Sequence, residues 1–592
     1  QEYVRNVEAQ VTELWTEYGE LFEIWFDGAM GGDGYYGGAR TTRNIGNADN
    51  YYNYTQVVRN IRGLQPDCII WGAAKRGDVA WAGSEQGYAR QYPLWNVNKG
   101  KWLSWEADTP IKDYPRTKVL VSISQLWINS TAFPSNPNPR AYNGYFYSSS
   151  RLLNRIWYAG AYTLQLSTIN PKEGSALIDY NRLIDHNKSP HGTGYSNFTI
   201  SKGNSVTTDG GKRDRMVWPG DMSIAVPGIA VSTHDMEAVR NALEVIFNHQ
   251  YSDGSLPYAG PPMGYNREFS DTYHLHTLLG AYNYVLYSGD MGWLDRHWQS
   301  YKIALGISIA KVDDLGLLHV TSTADWLRPG MSGHNLEASA LLLEGLKHTF
   351  KIESWIYNYL AQNSDPDPDA LSTEKERSSW AETIDRLTHG IERLYCPESG
   401  MYADNLEEAW CNEPREVLPQ DGNSWVLLTH NPPFPSNDQS NERLYQISDL
   451  LTRRWLKHGA PAPEFPNVIS PFTSSFELLG HCAIGSIDTA VELMLHMWGY
   501  MLNGPGMTNS TCVEGYRTDG YAQYPAYWSP ARGSHAHGWS TGPTTALSSG
   551  VLGIQFSGPA GKTWVVRPEL TKWLSFARGG TSTKLGKWEV KM

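Results

Sequence analysis

Three aspartates, Asp209, Asp214 and Asp221, fall within thirteen residues at spacings of five and seven, in a run that also holds Arg213, Trp218 and Pro219. Gly210-Gly211 and Pro219-Gly220 oppose one regular helix through the stretch, so the acids are expected on a folded-back loop. Crowded carboxylates beside a tryptophan suit cleavage of a glycosidic bond. One acid must deliver a proton to the leaving oxygen, and a flat aromatic face packs on sugar C–H groups. The structural alternative is a solvated turn whose aspartates pair with Lys212, Arg213 and Arg215. A fourth acid, Glu514, lies far downstream between Gly504-Pro505-Gly506 and Thr518-Asp519-Gly520, which places it on a loop at a helix end. Inverting hydrolysis sets an acid and a water-holding base about 6.5–9.5 Å apart around the sugar, and the two need not be near in sequence. The cations flanking Asp214 are expected to oppose an acid role, and only burial or the neighbouring Asp209 and Asp221 act against them.

A second tier of residues carries weaker signals. Asp325-Trp326, before Arg328-Pro329-Gly330, fits a turn as well as a sugar contact, as does His334-Asn335. Asp271, His274 and His276 lie on a helical pattern, where His274 is expected as a packed core residue. Trp425, after Asp421-Gly422-Asn423, is expected in a cleft wall. In Ser534-His535-Ala536-His537-Gly538 the two histidines suit sugar contact, and without a third ligand nearby they do not predict a metal.

The elements that must position these groups change along the chain. Residues 1 to about 95 alternate helix and strand: Val4–Tyr18 as helix, 21–26 as strand, Gln56–Leu64 as helix, Cys68–Trp71 as strand. That order implies parallel pairing. Residues 96–145 read as a linker with strands, including one at 118–123. From 146 to 548 long helices joined by glycine turns recur, as in Asp235–Asn248 with Ser232 or Thr233 as N-cap, Asp271–Tyr287 paired with Trp293–Val312, Leu336–Phe350 and Ile487–Leu502. Helical hairpins sustained over that length without heptads fit an (α/α)6 toroid. Residues 549–592 return to strands. The fold expected is mainly α: a toroid with a small C-terminal β domain and a partial α/β segment in front.

With 592 residues the chain exceeds one core. Its 24 Trp and 35 Tyr against 14 Phe favour rings with a polar edge, suited to wet clefts. A net charge of −12 opposes nucleic acid as a partner, since phosphate binding needs basic patches. There is no apolar run long enough to cross a membrane. Cys396 and Cys411 are spaced to close a short loop in a secreted protein, and Asn-X-Ser/Thr sites at Asn53, Asn129, Asn187, Asn197 and Asn509 are compatible with secretion. Gln1-Glu2-Tyr3-Val4 has no signal-peptide pattern, so the chain is read as starting at a processed end or inside a longer reading frame.

The Asp209/Asp214/Asp221 spacing with Trp218, the Glu514 loop and the Ser534–Gly538 segment together resemble the six-hairpin α-L-rhamnosidases, over about residues 146–592. That resemblance implies inverting removal of a terminal α-L-rhamnosyl or similar 6-deoxy sugar, without a cofactor. It implies Asp214 as general acid, where the family usually has Glu, and Glu514 as general base. Asp209, Asp221, Trp218, Arg213, Asp325, Trp326, His535 and His537 are then expected to bind sugar. Residues 1–95 resemble part of the retaining α-L-fucosidase barrel: Ile24-Trp25-Phe26-Asp27-Gly28-Ala29 is similar to its nucleophile strand and Gly83-Ser84-Glu85-Gln86-Gly87 to an acid/base segment. Asp27 and Glu85 would fill those roles. A closed barrel needs eight strands and about 250 residues, so this half is expected to be inactive alone.

Overall fold

A computed structural model of the chain describes residues 2–17, 21, 23–25, 53–71, 79–84, 102–107, 132–136, 138–175, 198–263, 267–362, 372–407, 410–413, 416–429, 438–527, 532–569 and 571–592. They divide into two units, Gln1–Leu126 and Trp127–Met592.

In the first unit, helix α1 (Glu2–Glu17) buries Val11 and Trp15 in a cluster with Tyr54, Val57 and Ile61 of α2 (Tyr54–Leu64). Strand β1 (Glu23–Trp25) pairs with β2 (Ile69–Trp71) in parallel, and β3 (Val79–Ser84) and β4 (Trp102–Ala107) continue the order β1-β2-β3-β4, also in parallel. Between β1 and β2 the parallel pairing follows from the inserted helix α2. The sheet takes in Trp102–Ala107 and so reaches past residue 95. Asp27, Glu85 and the strand expected at 118–123 lie outside the described residues.

The second unit is a ring of helical hairpins. It opens with β5 (Tyr145–Ser148) and α3 (Arg151–Ser167), then runs through α4 (Pro219–Val231), α5 (Met236–Asn248), α6 (Asp271–Ser288), α7 (Met291–Ile309), α8 (Leu336–Gln362), α9 (Glu374–Glu392), α10 (Gln420–Thr429), α11 (Asp438–Thr452), α12 (Pro471–Ala483), α13 (Ile487–Leu493) and α14 (Gly542–Thr545). Helix α4 packs on α6, α6 on α8, α8 on α10, α10 on α12, α12 on α14 and α14 back on α4, closing an inner circle. Helices α3, α5, α7, α9, α11 and α13 pack outside it. Composition explains the sorting. All residues of α4 are buried, as are Asp271–Ala281 of α6, while α9 buries only Trp380, Thr383, Leu387, Gly390 and Ile391. A helix apolar all round belongs inside, and one with a single stripe belongs on the rim.

Details depart from the sequence reading for local reasons. Pro219-Gly220 does not break a helix but starts one, with Pro219 in the first turn, where its missing N–H costs no bond. Asp221 is therefore helical rather than on the loop. The N-cap of α5 is Asp235, which accepts from Ala238 N–H at 3.1 Å, and not Ser232 or Thr233. Helix α8 continues twelve residues beyond Phe350, to Gln362. The helix expected over Ile487–Leu502 is interrupted by a π-helical stretch, Met494–Trp498. Trp425 is not in a cleft wall: it is 4% exposed and packs on Phe476 with ring centroids 4.7 Å apart. His274 is a core residue, bonded to Leu256 N–H and the Ala304 carbonyl.

Strands β6 (Ile554–Phe556) and β7 (Trp564–Val566) form a hairpin, and β8 (Ala577–Thr583) and β9 (Gly586–Lys591) another. Strand β8 also pairs with β5, so the small sheet ties the start of the helical ring to its end. A disulfide joins Cys396 and Cys411 across 15 positions. Replacing both by Ser should cost about 3 kcal/mol, the entropy of closing a loop of that length in the unfolded chain. Urea unfolding with an unchanged midpoint would show that the loop is held without it.

Candidate active site

The acid-bearing loop closes on itself before it reaches α4. Asp209 N–H donates to the Met216 carbonyl at 3.1 Å, and Met216 N–H returns a bond to Asp209 Oδ1 at 3.2 Å. Between them Asp214 and Arg215 both take the left-handed backbone region, each with φ 49°. Such residues cost about 1–3 kcal/mol each and persist only where their surroundings over-determine them. A second segment supplies that constraint. Gly211 N–H donates to the Ala536 carbonyl at 3.0 Å and Gly538 N–H to the Asp209 carbonyl at 2.6 Å. A Cβ at residue 210 would sit 2.7 Å from Ser534 Oγ, so only glycine lets the strands approach. Gly220 serves the same end, since a Cβ there would lie 2.4 Å from the Tyr273 ring.

Arg213 is the junction. Its Nη1 lies 2.7 Å from Asp214 Oδ2 and its Nη2 2.5 Å from Glu514 Oε1, so one guanidinium spans both acids. Nε donates to the Arg532 carbonyl at 2.6 Å, and the group lies over the Tyr527 ring. Glu514 is saturated: Oε1 also accepts from Tyr527 Oη at 2.6 Å, and Oε2 from Ser534 N–H at 2.7 Å. Burial favours its neutral form, yet Arg213 and these donors win, holding the carboxyl at about 2. Glu514 is therefore an anion. Asp214 keeps a partly open side chain, 17% exposed against 2% for Glu514.

Asp209 and Asp221 behave oppositely. Burial, then the charges of Asp214 and Asp221, raises the Asp209 carboxyl well above the usual range, and its Oδ2 has no hydrogen-bond partner among the described residues. Burial likewise raises Asp221, against a 2.9 Å bond from Trp539 N–H to its Oδ1. His537 Nε2 is 3.3 Å from the same oxygen, and burial lowers its pKa to about 4, so the ring is neutral at ordinary pH. Trp218 stands edge-on to Tyr258 and Tyr273, at centroid distances of 5.0 and 6.1 Å. His535 is half-buried, its carbonyl accepting from Thr511 Oγ1. The structure thus gathers Asp209, Arg213, Asp214, Asp221, Glu514 and His537 into one cluster. Of the three cations around Asp214, Lys212 turns to the Gly533 carbonyl and Arg215 to that of Glu173.

Asp325 and Trp326 go to a different cluster. Asp325 is 2% exposed and accepts from Thr272 Oγ1 at 2.7 Å; Trp326 is fully buried and donates to Asp421. Arg328 binds Asp404 and Asp421 at 2.7 and 2.8 Å. Asp221, Asp271, Glu337 and Asp421 each sit in the first turn of an inner helix, where the positive end of the helix dipole favours a carboxylate. Sequence reasoning passed over Tyr527 and Trp539, and took Ser534 only as part of the Ser534–Gly538 segment. The signal available was their place in the aromatic-rich stretch that runs from Tyr516 to Trp539.

With this geometry in view, the family model and the solved structures point the same way. Residues 196–411 match the model of the bacterial alpha-L-rhamnosidase 6 hairpin glycosidase domain. A rhamnosidase of Bacillus sp. GL1 superposes with a TM-score of 0.56 at 19% identity, covering 76% of this chain and 40% of that one. An alpha-L-rhamnosidase from Aspergillus terreus superposes at 0.52 and 16% identity, covering 76% and 45%. The chain therefore spans less than half the length of these structures. Separately, a stretch of 158 residues is 30% identical to alpha-L-fucosidase 1 of Arabidopsis thaliana, covering 25% of this chain and 28% of that protein.

Proposed function

From the match of residues 196–411 to the model of the bacterial alpha-L-rhamnosidase 6 hairpin glycosidase domain, we propose that the chain is an inverting exo-glycosidase for terminal α-L-rhamnosides. Asp214 is the proton donor to the leaving oxygen and Glu514 the base that takes a proton from the attacking water. The observation that carries this reading is the Arg213 guanidinium binding Asp214 on one amino group and Glu514 on the other, although 301 positions separate Arg213 from Glu514. Both acids are thereby aimed at one place. Their environments differ in the sense the reaction needs, with Glu514 held ionised and Asp214 the more open to solvent. Asp209 and Asp221, whose neutral forms are favoured by burial, are the groups placed to bind sugar hydroxyls. Trp218 offers the face on which the apolar side of the ring packs. Carbohydrate is the substrate class, the two carboxylates and a water suffice for the step, and no cofactor is required. Among the described residues no helix is long and apolar enough to cross a membrane. Secretion is part of this proposal, supported by the Cys396–Cys411 bridge.

A panel of aryl glycosides tests it. The α-L-rhamnoside should be the fastest substrate, and NMR of the first-formed sugar should show the inverted anomer. Retention would remove Glu514 from the role of base. The likeness to the Arabidopsis fucosidase favours a second reading, retaining α-L-fucoside cleavage with Asp27 as nucleophile and Glu85 as acid/base. Fucoside turnover abolished by Asp27→Asn and untouched by Glu514→Gln would establish it in place of the first. A chain that binds rhamnosides calorimetrically without releasing product would instead be a carbohydrate-binding protein.

A further inference from the structure

A second constellation of ligating groups lies outside the catalytic cluster, where the loop before α8 meets the loop before α10. The backbones of His319 and His334 pair as an antiparallel bridge, which brings their rings to a centroid distance of 4.8 Å. Glu407 is drawn to the same point. Its Oε2 accepts from His334 N–H at 3.0 Å and its Oε1 meets His334 Nδ1. It reaches that position over Gly333, where a Cβ would lie 2.1 Å from Glu407 Oε2. One donor atom each from His319, His334 and Glu407 fall within 4.8 Å of one another. On the far side of the His334 ring, Nε2 faces Asp313 Oδ2 at 2.7 Å. Asp313 is itself fixed, since its Oδ1 accepts from Leu315 N–H at 2.9 Å.

We propose that His319, His334 and Glu407 bind a divalent transition-metal ion of the Zn2+ class, with Asp313 orienting His334 as an outer carboxylate. Two imidazoles and one carboxylate are the donor set that borderline ions of this kind prefer over Ca2+ or Mg2+, which take oxygen alone. A ligating histidine typically donates its other ring N–H to a carboxylate, and that partner fixes both tautomer and ring orientation. The Asp313–His334–Glu407 line reproduces the arrangement. Glu407 and Asp313 side chains are 40% and 47% exposed, so an ion has a direct path in and solvent completes its coordination. Glycoside hydrolysis does not require the metal. Its consequence is mechanical: Asn335 bridges Asn405, and Leu336 N–H donates to the Asp404 carbonyl, so an ion here clamps together two loops that carry Arg328 and its partner Asp404.

The alternative for these side chains is a plain ion triad, a charged His334 between two carboxylates. Calorimetric titration of the intact, chelator-treated chain with ZnCl2 separates the two. One Zn2+ per chain is expected, with binding lost in His319→Ala and in Glu407→Gln. It should weaken by about 10- to 100-fold in Asp313→Asn, the usual effect of removing an outer-sphere carboxylate. His319 is exposed, so its replacement should leave the metal-free near-UV spectrum and melting temperature unchanged. Zn2+ should raise the melting temperature of wild type and not that of His319→Ala. A wild-type chain that takes up no Zn2+, or uptake that survives His319→Ala, overturns the proposal. Neither result bears on the rhamnosidase reading, which rests on Asp214 and Glu514.

Discussion

Replacing Glu514 with Gln should lower kcat on an aryl α-L-rhamnoside by about 10²- to 10⁴-fold, the range over which a positioned general base acts. The fold should survive, because the amide keeps the shape and its oxygen still accepts from Tyr527 or Ser534 N–H. Asp214→Asn is the companion. A general acid matters most when the leaving group is a poor one, so Asp214→Asn should be severe on an alkyl rhamnoside and mild on a nitrophenyl one. Glu514→Gln should be severe on both, since water must be activated whatever departs. That contrast assigns the roles separately. Equal sensitivity of the two variants to the leaving group would undo the assignment, and wild-type rates in Glu514→Gln would remove the residue from the reaction.

The second large effect concerns Arg213. Removing one partner of a buried ion pair leaves the other uncompensated and typically costs about 3–5 kcal/mol. Arg213→Ala strips the counter-charge from Asp214 and Glu514 together, within reach of Asp209 and Asp221. The loss should depend on pH in a defined direction. Glu514 titrates at about 2 in the folded chain against 4.5 in its ordinary state. A carboxyl whose folded pKa is depressed stabilises the fold fully above its unfolded pKa, and that contribution disappears as pH falls through the folded one. The stability gap between wild type and Arg213→Ala should therefore be widest at neutral pH and narrow from pH 4.5 towards 2. A residue of difference remains, because the cation–π packing on Tyr527 does not titrate there. Urea unfolding at pH 7 and pH 3 measures it. An identical gap at both values would mean that Arg213 acts through packing alone.

How much of this was legible in the sequence varies with the range of the interaction. Asp209, Asp214 and Asp221 are close enough in the chain for their spacing to announce a site, and the glycines around them have steric reasons: Gly210 against Ser534 Oγ, Gly220 against the Tyr273 ring. The start of α4 was misjudged because Pro219 carries two meanings, breaker inside a helix and favoured first residue. The cap of α5 slipped from Ser232 or Thr233 to Asp235 because all three are capping types. Trp425 illustrates a different failure. Its place after Asp421-Gly422-Asn423 suggested a cleft wall, whereas α10 is an inner helix whose polar residues, Gln420, Asp421 and Asn423, are buried in hydrogen bonds.

By itself the sequence determined what needs only neighbours: helices from 3.6-residue periodicity, a parallel sheet from strands alternating with helices, a hairpin toroid from repeated helical pairs, and the chemical types available for acid–base work. The tertiary structure alone decided which of those groups meet. Arg213 reaches Glu514 because closure of the inner ring brings the loop before α4 beside the loop before α14, and nothing in either segment encodes the other's position. The same closure set the charges, making Glu514 an anion through Arg213 and Tyr527 while burial pushes the Asp209 and Asp221 carboxyls up. A protonation state is a property of the assembled surroundings, so it exists only once the chain has folded.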